Sequence, residues 1–569
     1  MKFFLVKILL LFILILLTKH AIAQSNEIYP VWIYLKPEYI FDNSNKIQYS
    51  QKTLQRLNKI KWRDNVSDYL PTETLKKQIE EKVINIRHYS RSLCAFSANI
   101  EDYKYNQLMA LPFVKEIKRV RTRKKPRVKL PSYPAVKSLS KTTDFYGNSR
   151  EQLEQLNVIK VHEMGITGKN VRIAVIDAGF RKDHESFEYI MNNQHLIEEH
   201  DFINNDGNVQ DESVVDTVNG SRQQEHGTAV LSCIAGYVPN KIVGPAFDSE
   251  ILLAKTEVEG SETRIEEDYF VAAVEWAEAK GADIISSSLG YRDFDYFEYP
   301  FSHLDGKTAE TTKAANWAFD RGVVFVTSAG NDAYYFSDGG LISPGDAYGS
   351  LTVGAVDKMG VITSFSSHGP TYDGRTKPEV CARGYRTFVA SDYTRKRYMY
   401  SNGTSFSAPL ITGCCALILE KFPDWTPAMV IDNLKSYSDR NQNIDDYYGW
   451  GIPDLYKLID EAASQCSIDF DINKNEVIVT PNPVSNIAKI YFKWNNPNFG
   501  NFGKYKLKIY NMRGEVVYIK TLEEKSYANI DCINWNLKNK TGKDVSTGIY
   551  LVEITGKKMN KKSKFTVIK

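Results

Sequence analysis

The succession of segments predicts an α/β fold: a parallel sheet covered by helices on both faces, preceded by a small α+β region and followed by a C-terminal β-sandwich. Three observations carry this reading. Between residues 171 and 356, short and nearly continuous apolar runs alternate with helix-length stretches, the pattern of parallel strands buried on both sides. Ahead of them, residues 24–129 read as strand, strand, helix, strand. From residue 476 the helical pattern fades, and short alternating strands follow one another at sandwich spacing, separated by turn residues.

At 569 residues the chain is too long for a single core and implies several domains. A hydrophobic content of 43% with 25% charged residues is that of a globular protein, which sets aside fibrous and disordered classes. A net charge of +3 gives no reason to expect nucleic acid as a partner. Seven cysteines do not make a disulfide framework in a chain of this length. Cys233, Cys414 and Cys415 fall in expected core helices, where a thiol acts as a small hydrophobe.

Residues 1–23 read as an export signal: Lys2 and Lys7, an apolar run over 8–17, and the small-x-small site Ala21-Ile22-Ala23. That run is too short to span a bilayer, which needs about 20 apolar residues. The mature chain is expected to begin near Gln24, outside the cytoplasm.

In the 24–129 region strands are expected at 31–35, 93–100 and 114–120, with a helix over 102–111 ahead of Pro112. A basic run follows, with Lys118, Arg119, Arg121, Arg123, Lys124, Lys125, Arg127 and Lys129. It fits a solvated linker and a proteolytic maturation segment alike. Residues 130–145, rich in Ser, Thr and Pro, read as the linker into a domain over 146–460.

Within that domain the expected strands are 171–177, 250–255, 282–288, 323–328 and 351–356, and the expected helices include 266–279 and 309–320. In parallel sheets chemistry collects at the carboxyl ends of strands. Asp177 and Asn331 both fall at such ends. Residues 226–236 read as a helix starting at His226. The stretch Asn402-Gly403-Thr404-Ser405-Phe406-Ser407-Ala408-Pro409 leads into 407–422, which has almost no polar face and so predicts a buried helix. Gly403 permits an unusual backbone geometry, Pro409 is early enough to be tolerated, and Ser405 lies in the positive field of the helix start. A serine there is by itself an ordinary helix cap, and a lone Asp or His would be structural. A carboxylate, an imidazole and a hydroxyl, each at an element terminus, are together the parts of an activated nucleophile.

The order Asp177, His226, Ser405, with His226-Gly227-Thr228, Ser328-Ala329-Gly330-Asn331 and the 402–409 motif, resembles the subtilisin family of serine proteases, the subtilases, over residues 141–460. The resemblance implies that Ser405 attacks a peptide carbonyl, that His226 takes its proton, and that Asp177 orients the imidazole. It implies an oxyanion hole built from the Asn331 amide and the Ser405 backbone N–H. Ser288, Leu289 and Gly290 would line the substrate by strand addition, with Ala329 and Gly330 as the opposite wall of the specificity pocket. Ala178 departs from the family, which usually carries Ser or Thr after the aspartate. Residues 24–129 loosely resemble the inhibitory propeptides that precede such domains. No Cys/His cluster has zinc spacing. A structural calcium is implied by the family, without residues that name its ligands; the acidic stretch 201–216 could hold one, and reads better as a solvated insertion.

In the last domain, Pro481-Asn482-Pro483, Ile509-Tyr510-Asn511-Met512-Arg513-Gly514-Glu515, Gly548-Ile549-Tyr550-Leu551-Val552 and the terminal Lys569 resemble the C-terminal sorting domain of the type IX secretion system over 479–569. This implies translocation across the outer membrane by that machinery, then removal of the domain and release or surface attachment. Physics alone would allow a small carbohydrate- or protein-binding module. The reading is a secreted serine endopeptidase that cleaves protein or peptide substrates through an acyl-enzyme and is exported as a precursor. Its rival is a surface adhesion protein on a degenerate protease fold. An esterase is disfavoured by the absence of Gly-x-Ser-x-Gly around Ser405.

Overall fold

The computed structural model describes residues 28–40, 45–120, 144–212, 222–258, 263–294, 297–466, 477–480, 482–485, 488–493, 504–523, 530–556 and 559–568. The expected export signal, most of the basic run and of the linker, and residues 213–216 of the acidic stretch lie outside them. The chain forms two compact units, Met1–Asp460 and Glu461–Lys569.

The first unit begins with an antiparallel sheet of β1 (Ile28–Leu35), β2 (Asn85–Ser90), β3 (Ala95–Glu101) and β4 (Val114–Arg119), in the order β2-β3-β1-β4. Side chains alternate between sheet faces. Val31, Ile33 and Phe96 therefore share one core with Leu75 and Ile79 of a helix at Glu73–Glu80, while Trp32, Tyr34 and Ala95 point the other way. The helices α1 (Gln51–Lys59) and α2 (Glu73–Glu80) and the strand β2 were not evident from the sequence pattern. Ser50 and Thr72 start the two helices by accepting the N–H of Thr53 and Leu75.

Next comes a seven-stranded parallel sheet: β5 (Arg172–Asp177), β6 (Leu196–Asp201), β7 (Glu250–Lys255), β8 (Ile284–Ser287), β9 (Val324–Ser328), β10 (Ser350–Val356) and β11 (Val380–Arg383). Its order is β11-β10-β9-β8-β5-β7-β6. After β7 the chain crosses to the far side of β5, so the carboxyl ends of β5 and β8 flank the point where the winding reverses. On one face lie α3 (Gln224–Ala235) and α6 (Thr404–Lys421), which pack on each other and, for α6, on β8 to β11. The other face carries α4 (Ile265–Ala279) and α5 (Glu310–Asp320). Trp32 and Tyr34 of β1 join a core with Phe270 and Val274 of α4 and Ala315 and Ala318 of α5. The helix expected to start at His226 begins two residues earlier, at Gln224, and His226 stands in its first turn.

Between the N-terminal sheet and the parallel-sheet domain lies a network of charges. Arg56 donates to the carbonyls of Glu278, Ala282 and Arg321 at 3.0, 2.5 and 3.1 Å, and to the Glu278 carboxylate at 2.6 Å. Thr53 Oγ1 meets the carbonyls of Glu278 and Ala279. These are carbonyls at the end of α4, where unpaired acceptors and the helix dipole favour a cation. Glu278 also meets Arg321 at 3.0 Å and Arg91 at 3.1 Å, and Arg321 in turn meets Asp68 at 2.9 Å. Burial pushes the Glu278 carboxyl up, but Arg321, Arg56 and Arg91 together hold it below its ordinary value. Lys52 reaches Glu250 and Asp283, Arg87 reaches Asp268, and Lys118 reaches Glu310.

Asp320 closes α5, accepts a 2.8 Å hydrogen bond from Tyr348 and is pushed by burial up to about 6. A raised folded value means that the native state binds the proton more tightly, so stability falls as pH rises from about 4 to about 6 and the loss persists above that window. Asp320→Asn keeps an acceptor for Tyr348 and removes the penalty. It should stabilise the protein by about 2–3 kcal/mol at pH 8 and by little at pH 3.5. Thermal melts of inactive protein at both pH values check this; equal shifts at both would exclude ionisation as the cause.

The second unit pairs two antiparallel sheets. One holds Val477–Thr480, Ala488–Lys493 and Ile530–Trp535; the other is ordered Val516–Glu523, Lys504–Asn511, Gly548–Gly556, Met559–Val567. Ile490 and Trp535 from the first sheet and Leu507, Val552 and Phe565 from the second share one core. The Ile530–Trp535 strand was not read from the pattern.

Candidate active site

Asp177 is the last residue of the central strand β5 and is fully buried. Its Oδ1 accepts the N–H of Ala178 at 2.8 Å and lies 2.7 Å from His226 Nδ1. A carboxylate can only accept, so Nδ1 carries the proton and Nε2 is left with its lone pair. The His226 side chain is 31% exposed, which puts the ring at the rim of the domain. Gly227 makes the approach feasible: a Cβ there would stand 2.2 Å from the Gly179 carbonyl oxygen and 3.1 Å from the Asp177 Cβ. With Ala178 next in the chain there is no adjacent hydroxyl, and Asp177 Oδ2 has no hydrogen-bond partner among the described residues.

Ser405 is the second residue of α6, 8% exposed. Gly403 caps the helix at φ 143°, a conformation that side chains resist. Every residue from Thr404 to Leu419 is buried, so the helix is fixed by packing on all sides. The Phe406 ring lies 5.9 Å from that of His226, centroid to centroid, so the starts of α3 and α6 adjoin. Pro409 sits deeper than the first turn, and its missing N–H leaves the Ser405 carbonyl without its partner one turn on. Ser288 Oγ supplies that bond at 2.9 Å. In return Ser405 Oγ donates to the Ser288 carbonyl at 3.2 Å. A backbone defect at the proline is thus turned into a clamp on Ser405.

Asn331 Oδ1 accepts from Thr404 N at 2.9 Å and meets Thr404 Oγ1 at 3.1 Å. Because a backbone N–H can only donate, the amide oxygen must face it, and the NH2 end is the one left over. Thr404 Oγ1 also accepts the Gly330 N–H at 3.2 Å. The turn after β9 is therefore latched to the first residue of α6. Ser288, Leu289 and Gly290 continue β8, and Ala329, Gly330 and Asn331 continue its parallel neighbour β9, so the two stretches face each other beyond the sheet. Gly330, at φ 109°, keeps its carbonyl on the Ser367 N–H at 2.9 Å.

Residues 168–451 match the model of the Subtilase family, and residues 479–569 match one described as a secretion system C-terminal sorting domain. The chain is 30% identical over 308 residues to Subtilisin DY of Bacillus licheniformis, covering 54% of this chain and 95% of that one. It is 30% identical over 315 residues to a subtilisin of Bacillus pumilus, covering 55% and 98%. With Subtilisin E of Bacillus subtilis (strain 168) the identity is 29% over 313 residues, covering 55% and 70%. The chain belongs to the subtilase family.

This subtilase is a subtilisin-like serine endopeptidase, and its type IX sorting domain marks it as a secreted protein. Two parts of its site could not be foreseen from the motifs. The Thr404 latch joins residues 73 apart, and the Ser288 clamp joins residues 117 apart. Ser288 thus has its side chain committed to the helix rather than to the cleft. Ser288→Ala should strip a buried carbonyl of its donor and lower stability by about 1–3 kcal/mol. Denaturant unfolding of inactive protein reads this, and an unchanged midpoint would show that the Ser405 carbonyl needs no partner.

Subtilases often hold structural calcium, and the acidic stretch from Asp201 is the region to test. Asp201 Oδ1 accepts the N–H groups of Ile203 and Asn204, while its Oδ2 meets Asn204 Nδ2 at 2.9 Å and the buried Lys255 ammonium at 3.0 Å. A cation here would have to displace Lys255, so Asp201 does not fit as a ligand. Among the described residues no group of three or more His, Cys, Asp or Glu is placed to hold a metal ion.

Proposed function

We propose that this subtilase cleaves protein substrates through Ser405, His226 and Asp177 by way of an acyl-enzyme. The observation that carries the reading is the 2.7 Å contact between His226 Nδ1 and the buried Asp177 carboxylate. It leaves Nε2 as the ring's only basic atom, next to the start of the helix that bears Ser405. The Ser405 hydroxyl turns from the Ser288 carbonyl to His226 Nε2, gives up its proton and attacks the substrate carbonyl. Asp177 stabilises the imidazolium. Negative charge growing on the carbonyl oxygen is met by the NH2 end of Asn331 and by the Ser405 N–H, which has no acceptor within the helix. His226 then protonates the leaving amine, and water releases the acyl group by the same steps in reverse roles. Ser288, Leu289 and Gly290 hold the substrate backbone as an added strand, facing Ala329 and Gly330.

Residues 24–129 act as an inhibitory propeptide, 130–145 as the linker into the next domain, 146–460 as the peptidase, and 479–569 as the address read by the type IX machinery. A fluorophosphonate probe tests chemistry and address together. Applied to culture medium it should label the secreted protein at Ser405, and deletion of 479–569 should leave the labelled protein in the periplasm. Folded protein that takes no label would return the reading to an adhesion protein.

A further inference from the structure

Two glycines, one on each wall of the cleft, are crowded by the same side chain. A Cβ on Gly290 would stand 1.9 Å from Ile342 Cδ1 and 2.5 Å from its Cγ1. A Cβ on Gly330 would stand 3.1 Å from those same two atoms. Ile342 therefore lies between the stretch that continues β8 and the stretch that continues β9. Its side chain packs against the backbone of both walls. Its backbone N–H is held by the Ala329 carbonyl at 3.4 Å, and the flanking Ser343 pairs with Tyr291 on the opposite wall. The side chain is also β-branched, so its first torsion is stiff and it does not swing aside cheaply. It remains half-buried.

We propose that Ile342 is a specificity-determining residue and limits the substrate residue whose carbonyl is attacked to glycine, alanine or serine. This rests on the proposed catalytic reading, because that reading makes these walls the place where the side chain next to the scissile bond must go. The apolar plug leaves no room for an aromatic or long aliphatic group and offers no partner to a charge. A misplaced methylene in such a pocket is worth about 10- to 200-fold in discrimination, and several are at stake here.

The test uses the processed, secreted enzyme and peptide anilides that are identical except for Ala, Leu or Phe before the scissile bond. The unmodified enzyme should favour Ala over Phe by at least ~100-fold in kcat/KM. Ile342→Gly should cut that ratio at least ~10-fold by raising the Phe and Leu rates relative to the Ala rate. Ile342→Ala should move the ratio the same way to a lesser degree, which guards against a glycine variant that folds poorly. A parallel arm measures binding of the same peptides by calorimetry to Ser405→Ala protein freed of residues 24–129 by an added protease, so the pocket is judged without turnover. Equal rates and equal binding for Ala and Phe in the unmodified pocket would overturn the proposal, as would a ratio unmoved by either substitution. If no peptide is cleaved but binding still favours Ala, the catalytic reading fails and the pocket assignment stands.

Discussion

Ser405→Ala should lower kcat by about 10⁶ while leaving the protein folded. The only atom lost is the hydroxyl oxygen. Among the described residues its one hydrogen bond is the 3.2 Å donation to the Ser288 carbonyl, and the reciprocal bond from Ser288 to the Ser405 carbonyl does not need it. Stability should therefore change by no more than about 1 kcal/mol. The residual rate comes from the oxyanion donors and from binding, which the substitution leaves in place. Purified variant and parent are compared on casein and on a peptide anilide, with unfolding midpoints measured beside them. Turnover near that of the parent would remove Ser405 from the chemistry. A collapse of both turnover and stability would mean that the hydroxyl is a structural group.

The second large effect is expected at Asn331. Asn331→Ala deletes an oxyanion donor and should lower kcat by about 10²–10³, roughly 2.7–4 kcal/mol, with KM nearly unchanged. It also strips the Thr404 N–H of its 2.9 Å acceptor, so some stability should be lost as well. Asn331→Asp separates the two roles. It keeps an oxygen for Thr404 but loses the NH2 donors and sets a negative charge where the oxyanion forms. Stability should stay close to that of the parent while kcat falls at least as far. An Asn331→Asp enzyme with normal turnover, or one whose KM rises while kcat holds, would confine Asn331 to latching or binding.

Much of this site is legible in the sequence because its groups sit inside contiguous motifs. Asp177 ends a run of apolar residues that is buried on both faces, and Ser405 opens a helix with no polar side, so both stand out in local pattern. The edge strand Leu196–Asp201 did not stand out, since its exposed Glu198 and half-exposed Glu199 and His200 mask the strand period. Local sequence shows only that Pro409 is early enough to be tolerated; its effect, a freed carbonyl at Ser405, is met by Ser288, which follows a strand far off in the chain. Ile342 carries no motif at all. Its importance comes from two glycines that approach it only once the sheet is assembled. The apolar run at 31–35 announced a strand, yet not that Trp32 and Tyr34 would be covered by α4 and α5.

The charges between the N-terminal sheet and the peptidase domain are sorted almost entirely by sign. Lys52, Arg56, Arg87, Arg91 and Lys118 stand on one side, and Glu250, Asp268, Glu275, Glu278, Asp283 and Glu310 on the other, with Asp68 to Arg321 as the one reversed pair among the described residues. Were the two pieces of chain separated, each would carry a coherent field of opposite sign. Their encounter would then be steered over distances of about a Debye length, faster in dilute buffer and slower in brine. Once joined, the innermost pairs are dry, and ions in solution have little access to them. Ionic strength would thus govern how quickly the two halves meet far more than how long they stay together.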